Sequence, residues 1–325
     1  MKKILVLVLS LFMVVLGSCK KKAAPEHLIL SIPNQAMMGL FFIAENLGYF
    51  EDENLIIEVD HPSSGRDAMI NVLEGRTDVG GCAEYPIARE IYNGAKLQIL
   101  ATISRTNNFL KMIARRNYNI EKIEDLVGKR IGYTFNSNAE YALYLFLNEN
   151  GLDVKDVEKI NINPGDKTQA LLEGEIDAVF TWQPHVINIF SSFPESELIK
   201  FSSQAYTNLG VLAFTSEKLK EKEDAFLRLG RILIRTEDYI SLNSEEALKI
   251  LIDSLSGQSP DMLSLIWSDL YYYARIDNLL LNTLLEEGLW IDNINGSPGK
   301  VPDYKKFLYT DVLKKARFNA VTLME

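Results

Sequence analysis

Few side chains in this sequence can do covalent chemistry, and those few are scattered. The two cysteines, Cys19 and Cys82, and the three histidines, His27, His61 and His185, have no spacing that would hold zinc. Two thiols cannot build a disulfide framework. His185 follows Pro184, but no serine or cysteine nucleophile with a matching partner is evident, so a base there has nothing to activate. No catalytic residue, metal or cofactor is expected. Side chains suited to holding a small molecule are easier to find. Glu84 can receive an amine or ring N–H, or simply favour a helix dipole. Arg66 and Arg105 can grip a carboxylate or sulfonate bidentately, or decorate the surface. Trp182 and Tyr85 can stack on a ligand or pack beneath loops.

The elements that must position these residues follow from hydrophobic patterning. Residues 28–32, 55–59, 77–82 and 97–103 read as strands, separated by helices at 36–47, 63–74 and 84–92. Gly48 stops the first helix, in a position where glycine adopts the left-handed geometry cheaply. The pattern then restarts. Strands are expected at 129–133, 157–162 and 176–180, and helices at 139–150 and 167–172. Residues 111–114 and 210–214 look like strands crossing between the two blocks. From Ser216 onward the chain reads as mostly helical, with Trp267 and Tyr271-Tyr272-Tyr273 expected to pack against the first block. Strands separated by single helices imply right-handed crossovers and parallel sheets covered on both faces.

An internal repeat ties the blocks together. Leu73-Glu74-Gly75-Arg76-Thr77-Asp78-Val79 recurs as Leu172-Glu173-Gly174-Glu175-Ile176-Asp177-Ala178, 99 residues later. That period is far too long for a solenoid and suits duplicated half-domains. Each copy follows a helix opened at a glycine, Gly65 or Gly165, and leads to an aromatic and a proline, Tyr85-Pro86 or Trp182-Gln183-Pro184. Asp78 and Asp177 fall at strand starts and are read as structural.

Ligands of open α/β sheets sit beyond the carboxyl ends of the strands. Two such sheets facing each other would line a cleft with Asn34, Gln35, Ser63, Ser64, Gly65, Arg66, Glu84, Tyr85 and Arg105 from one lobe. The other lobe would add Asn136, Ser137, Asn138, Trp182 and Gln183. Ser63, Ser64, Ser137 and Asn138 are helix caps first, and caps at a cleft often serve a ligand too. The expected fold is therefore α/β and two-lobed, with two crossover strands and a helical C-terminal segment. Lobe one is placed at residues 27–115 plus 209–325, and lobe two at 116–208.

The N-terminus carries its own signal. Lys2 and Lys3 precede an apolar run over residues 4–16, too short for a comfortable membrane span of ~20 residues. The run ends in Leu16-Gly17-Ser18-Cys19, which resembles a bacterial lipobox and implies lipid attachment at Cys19 after removal of residues 1–18. Residues 19–26 would be the tether. The chain has 325 residues with 47% hydrophobic and 24% charged side chains, a globular composition. Its formal net charge of −10 offers no basic footprint for nucleic acid.

Three further signatures identify a family. Leu40-Phe41-Phe42-Ile43-Ala44-Glu45-Asn46-Leu47-Gly48-Tyr49-Phe50, the paired Leu-Glu-Gly-x-x-Asp motifs, and Trp182-Gln183-Pro184-His185 resemble the extracytoplasmic substrate-binding proteins of ABC importers. Those proteins serve nitrate, sulfonates, taurine and thiamine-pyrimidine precursors. Gly128-Lys129-Arg130-Ile131-Gly132 matches the usual entry to their second lobe. The resemblance implies the type II periplasmic-binding-protein fold and a monomeric receptor whose hinged cleft closes on one small molecule, with permease and ATPase subunits as partners and no enzymatic activity. Glu84, Tyr85 and Trp182 together suggest an aminated heteroaromatic such as a thiamine-precursor-like pyrimidine. Alternatives are a sulfonate or nitrate-like anion, a sensory receptor, or an enzyme like the pyrimidine synthases, whose cysteine-rich motif is absent here.

Overall fold

The computed structural model describes residues 24–203, 205–255, 257–296 and 299–324. The expected leader and the lipidation residue Cys19 lie outside the described residues. Twelve strands are found among the described residues: β1 (Glu26–Ser31), β2 (Leu55–Asp60), β3 (Val79–Ala83), β4 (Leu97–Thr106), β5 (Leu110–Arg115), β6 (Arg130–Tyr133), β7 (Glu158–Asn161), β8 (Ala178–Trp182), β9 (Leu198–Ser202), β10 (Asn208–Thr215), β11 (Tyr271–Asp277) and β12 (Val321–Thr322). They form two sheets, ordered β12-β11-β4-β10-β3-β1-β2 and β7-β6-β8-β5-β9.

The two sheets share a plan. In the first, β2, β1 and β3 run parallel and β10 lies antiparallel between β3 and β4. In the second, β7, β6 and β8 run parallel and β5 lies antiparallel between β8 and β9. The antiparallel strand in each sheet arrives from the other lobe. β4 leaves the first sheet and continues as β5 in the second; β9 leaves the second and returns as β10 in the first. The sheets are thus mixed, where single-helix crossovers alone had suggested parallel ones.

The repeat is structural at the level of single hydrogen bonds. Gly75 and Gly174 both adopt positive φ, +72° and +74°, ending their helices in the left-handed geometry. The Asp78 N–H donates to the Ile29 carbonyl at 2.7 Å, and the Ile29 N–H donates back to the Asp78 carboxylate at 2.9 Å. Asp177 and Arg130 make the same reciprocal pair, at 2.9 Å each way. Each aspartate therefore satisfies a backbone donor where its sheet begins, away from the cleft.

Packing explains the apolar N-terminal motif. The helix Gly39–Asn46 buries Leu40, Phe41, Phe42, Ile43 and Ala44, and is apolar nearly all round. Such a helix needs cover on several sides; the helices Lys218–Leu242 and Ser244–Ser254 supply it. No helix among the described residues is long and apolar enough to cross a membrane.

Several expectations require correction. Glu26, assigned to the tether, opens β1 because its N–H bonds to the Asn54 carbonyl at 3.2 Å. Residues 110–115, assigned to lobe one, belong to the second sheet because β5 pairs with β8 and β9. The C-terminal segment is not purely helical. Tyr271, Tyr272 and Tyr273 lie in β11, which extends the first sheet beside β4.

Candidate binding site

The carboxyl ends of both sheets converge on a narrow cavity. Pro33, Gln35, Met37 and Met38 enter from the segment after β1, and Ser64, Gly65 and Arg66 from the turn after β2. Cys82, Ala83 and Pro86 come from the end of β3 and its helix. The second lobe contributes Ser137, Asn138 and Trp182, and the crossing segments contribute Phe109 and Asn208. The cavity is about 20 Å³, little more than a water molecule needs. The lobes are shut around it.

Two helices begin at this cavity. Ser64 caps Gly65–Leu73, its hydroxyl oxygen accepting from the Asp67 N–H at 3.2 Å. Ser137 caps Asn138–Glu149, accepting from the Ala139 N–H at 3.3 Å. Both hydroxyls also donate, Ser64 to the Asp67 carboxylate and Ser137 to the Thr134 carbonyl, each at 2.7 Å. Their hydrogen-bonding capacity is largely spent on the helices. What they expose to the cavity is the positive end of two helix dipoles. Gly65 must be glycine for a packing reason: a Cβ there would lie 2.7 Å from the Cys82 Cβ and 2.9 Å from its Cα.

Contacts between the lobes rim the site. One Arg66 Nη donates to the Phe135 carbonyl of the other lobe at 3.3 Å, and the second reaches the Asp67 carboxylate, also at 3.3 Å. Asn138 donates its side-chain amide to the Asn208 side-chain carbonyl, and Asn208 in turn contacts the Met37 sulfur at 2.6 Å. The Tyr85 hydroxyl donates to Glu140 of the second lobe at 3.2 Å, and the Tyr85 ring lies parallel to that of Tyr141. Tyr141 is also flanked by Tyr206 and Trp290.

Two buried donors of residues that line the cavity, Arg66 Nε and Trp182 Nε1, have no hydrogen-bond partner among the described residues. Behind the Trp182 ring, 3.8 Å from its centroid, sits the ammonium of Lys167, which donates to Thr181 Oγ1 at 3.0 Å. Lys167 is fully buried, and burial pulls its pKa down to about 7. Burial, and then the Lys167 charge, lowers His185 to about 4.

Of the residues expected from sequence, Gln35, Ser64, Gly65, Arg66, Ser137, Asn138 and Trp182 meet at the cavity. The others are placed elsewhere. Glu84 is buried but turned to the crossing strand, accepting from the Tyr206 hydroxyl and from the Leu209 N–H at 2.8 Å. Burial raises its pKa to about 7. The Tyr85 ring serves the contact between lobes. The Ser63 hydroxyl donates to Asp67 at 2.7 Å, the Asn136 N–H donates to Glu140 at 3.0 Å, and Gln183 accepts from the Ile187 N–H at 3.3 Å. The Asn34 carbonyl accepts from Gln258 at 2.8 Å. Arg105 lies over the Tyr271 ring, 5.1 Å from its centroid, in a wider groove on the first lobe.

Pro33, Met37, Met38, Cys82, Ala83, Pro86, Phe109 and Asn208 also line the cavity and were not among the expected residues. Asn208 carried a usable signal, since it lies two residues before the run read as the return crossing.

Two mixed sheets exchanging a strand, with one cavity where their carboxyl ends meet, define the periplasmic-binding-protein fold. Comparison with solved structures agrees. The alkanesulfonate-binding protein SsuA from Xanthomonas axonopodis, bound to MOPS, aligns with a TM-score of 0.71 at 15% identity, covering 93% of this chain and 100% of that one. The periplasmic nitrate-binding protein NrtA from Synechocystis aligns with a TM-score of 0.66 at 13% identity, covering 91% and 90%. Residues 35–240 match the NMT1/THI5-like family, and the chain belongs to it. Among curated proteins, one from Haemophilus influenzae named for thiamine biosynthesis is 23% identical over 70% of this chain and 73% of its own length. The taurine-binding periplasmic protein of Escherichia coli is 28% identical over 38% of each chain.

Proposed function

We propose that this protein is the extracytoplasmic solute receptor of an ABC importer, tethered by lipid at Cys19, and that its solute is a small oxyanion such as a sulfonate. The observation that carries the ligand class is the pair of buried donors without a partner among the described residues, Arg66 Nε and Trp182 Nε1, both of residues that line the cavity. Buried donors in native proteins are nearly always matched by an acceptor. Two helix N-termini and the Lys167 ammonium point to the same sign of charge. The sulfonate- and taurine-binding relatives support this reading.

Capture rather than turnover is the activity proposed. The Cys82 thiol is pushed well up, by burial first and then by Glu84 and Glu287, the opposite of an activated nucleophile. Solute bridging both lobes would favour the shut state by its higher affinity for it, and the permease would read that state.

A second reading, a thiamine-precursor-like pyrimidine, draws support from the Haemophilus influenzae relative. It loses its expected anchor, because Glu84 already serves Tyr206 and Leu209. Thermal unfolding with taurine, methanesulfonate, nitrate and an aminopyrimidine separates the two. A true ligand at a hundred times its Kd adds about 2.7 kcal/mol. Stabilisation by the pyrimidine alone would overturn the oxyanion assignment.

A further inference from the structure

We infer that Lys167, hidden behind Trp182, is the charge that compensates a bound anion, so that capture is coupled to uptake of a proton by this lysine. The inference rests on the oxyanion reading above and adds a residue that does not line the cavity.

The geometry is unusual for a lysine. Its side chain is fully buried, whereas lysines almost never are unless paired. Among the described residues it meets the Thr181 hydroxyl at 3.0 Å and the face of the Trp182 indole at 3.8 Å. Neither is an anion. The titratable groups on the elements packed around it do not supply one. His185 opens the adjacent helix and carries no negative charge. The exposed Asp166 carboxylate accepts from Asn163 at 3.2 Å. Glu173, at the far end of the same helix, accepts from Gln169 at 2.5 Å. Asp177, at the start of β8, is held by Arg130.

A buried ammonium without a counter-ion is poorly solvated and gives up its proton readily. One side of the indole faces Lys167, and the same residue lines the cavity. An anion entering there would sit one ring away from Nζ. In so dry a setting its charge would favour the ammonium over the neutral amine. With the free lysine near 7, binding at pH 8 must draw a proton from solvent onto Nζ, and binding at pH 6 need not. Affinity then falls as pH rises through and above neutrality.

The test is titration calorimetry of the whole protein with methanesulfonate, from pH 6 to 9, in Tris and in triethanolamine, two cationic buffers of different ionisation enthalpy. At pH 8 the wild type should take up close to one proton per anion bound. Its Kd should weaken by up to about tenfold per pH unit above neutrality. K167M should bind at least about tenfold more weakly at pH 6, with a flat pH profile and no proton uptake. K167Q serves as the second variant, and circular dichroism confirms that each is folded. Binding by the wild type without proton uptake would overturn the inference alone. So would an unchanged slope in K167M, which would transfer the linkage to Glu84 or to Lys111, the residue opposite Thr181 in the sheet, which burial lowers to about 8. Failure of the wild type to bind methanesulfonate, taurine or nitrate at all would overturn the oxyanion reading and this inference with it.

Discussion

The two lobes are built on one plan up to the strand ends and diverge beyond them. At the strand starts the copies coincide: Asp78 with Ile29 and Asp177 with Arg130 make the same reciprocal backbone bonds. Even there the charge partners differ. Asp78 pairs with Lys218 at 3.0 Å and Lys222 at 3.6 Å, both from the long helix Lys218–Leu242, while Asp177 pairs with Arg130 of its own sheet. At the cleft end the difference is one of sign. The first lobe hides carboxyls, Glu84 and Glu287, and the second hides a base, Lys167. Duplication evidently constrains the end that holds the sheet together and frees the end that meets the solute.

The largest effect should come from the aspartates. D78A strips the Ile29 N–H of its acceptor and leaves two lysines beside a buried hole, costing about 3 kcal/mol. D177A loses the same backbone bond but only a local partner, and should cost about 2 kcal/mol. Urea unfolding measures both. A larger loss for D177A would refute the claim that the helix Lys218–Leu242 is fastened through Asp78.

Next come the buried acid and the buried base, whose signs are opposite. Glu84 is raised from 4.5 to about 7, so the folded state holds the extra proton and stability falls as pH climbs from about 4.5 to about 7. Lys167 is lowered from 10.5 to about 7, so the unfolded state holds the extra proton and stability rises between about 7 and 10.5. In unfolding followed across pH, E84Q should make the first limb shallower, leaving the share of Glu287, which burial also raises, and K167M the second, leaving the share of Lys111, which burial lowers to about 8. K167M should also stabilise the protein at pH 7 by about 2 kcal/mol, since an apolar side chain replaces an unpaired buried ion. An alkaline limb as steep in K167M as in the wild type would remove Lys167 from the comparison.

The smallest effect concerns the contact between lobes. Tyr141 of the second lobe sits among Tyr85, Tyr206 and Trp290, and Y141A should weaken the shut state by about 1 kcal/mol. Small-angle scattering should then report a larger radius for the free variant, and methanesulfonate should bind roughly fivefold more weakly. An unchanged radius would show that the aromatic cluster does not hold the lobes together.

Much of this was legible in the residues, and the exceptions have physical causes. The repeat, the glycine stops and the strand–helix alternation are local signals, and the helix Glu84–Tyr92 was read to the residue. β11 was missed because its burial does not alternate cleanly: Tyr272 and Tyr273 are both half-buried and only Ala274 and Ile276 are fully covered. Cap chemistry found Ser64 and Ser137 at the cleft. It could not show that Glu84 faces the crossing strand, since Tyr206 and Leu209 lie more than 120 residues away. Phe109 and Asn208 reach the cavity only because two distant segments converge there.

The exchanged strands carry a consequence for how the chain comes to be folded. Until β10 emerges, at Asn208–Thr215, nothing joins β3 to β4, so the ribosome must deliver the entire smaller lobe before the larger one can complete its backbone pairing. A nascent polypeptide that ends between β4 and β10 holds three paired strands, β2-β1-β3, with β4 still waiting for both of its neighbours.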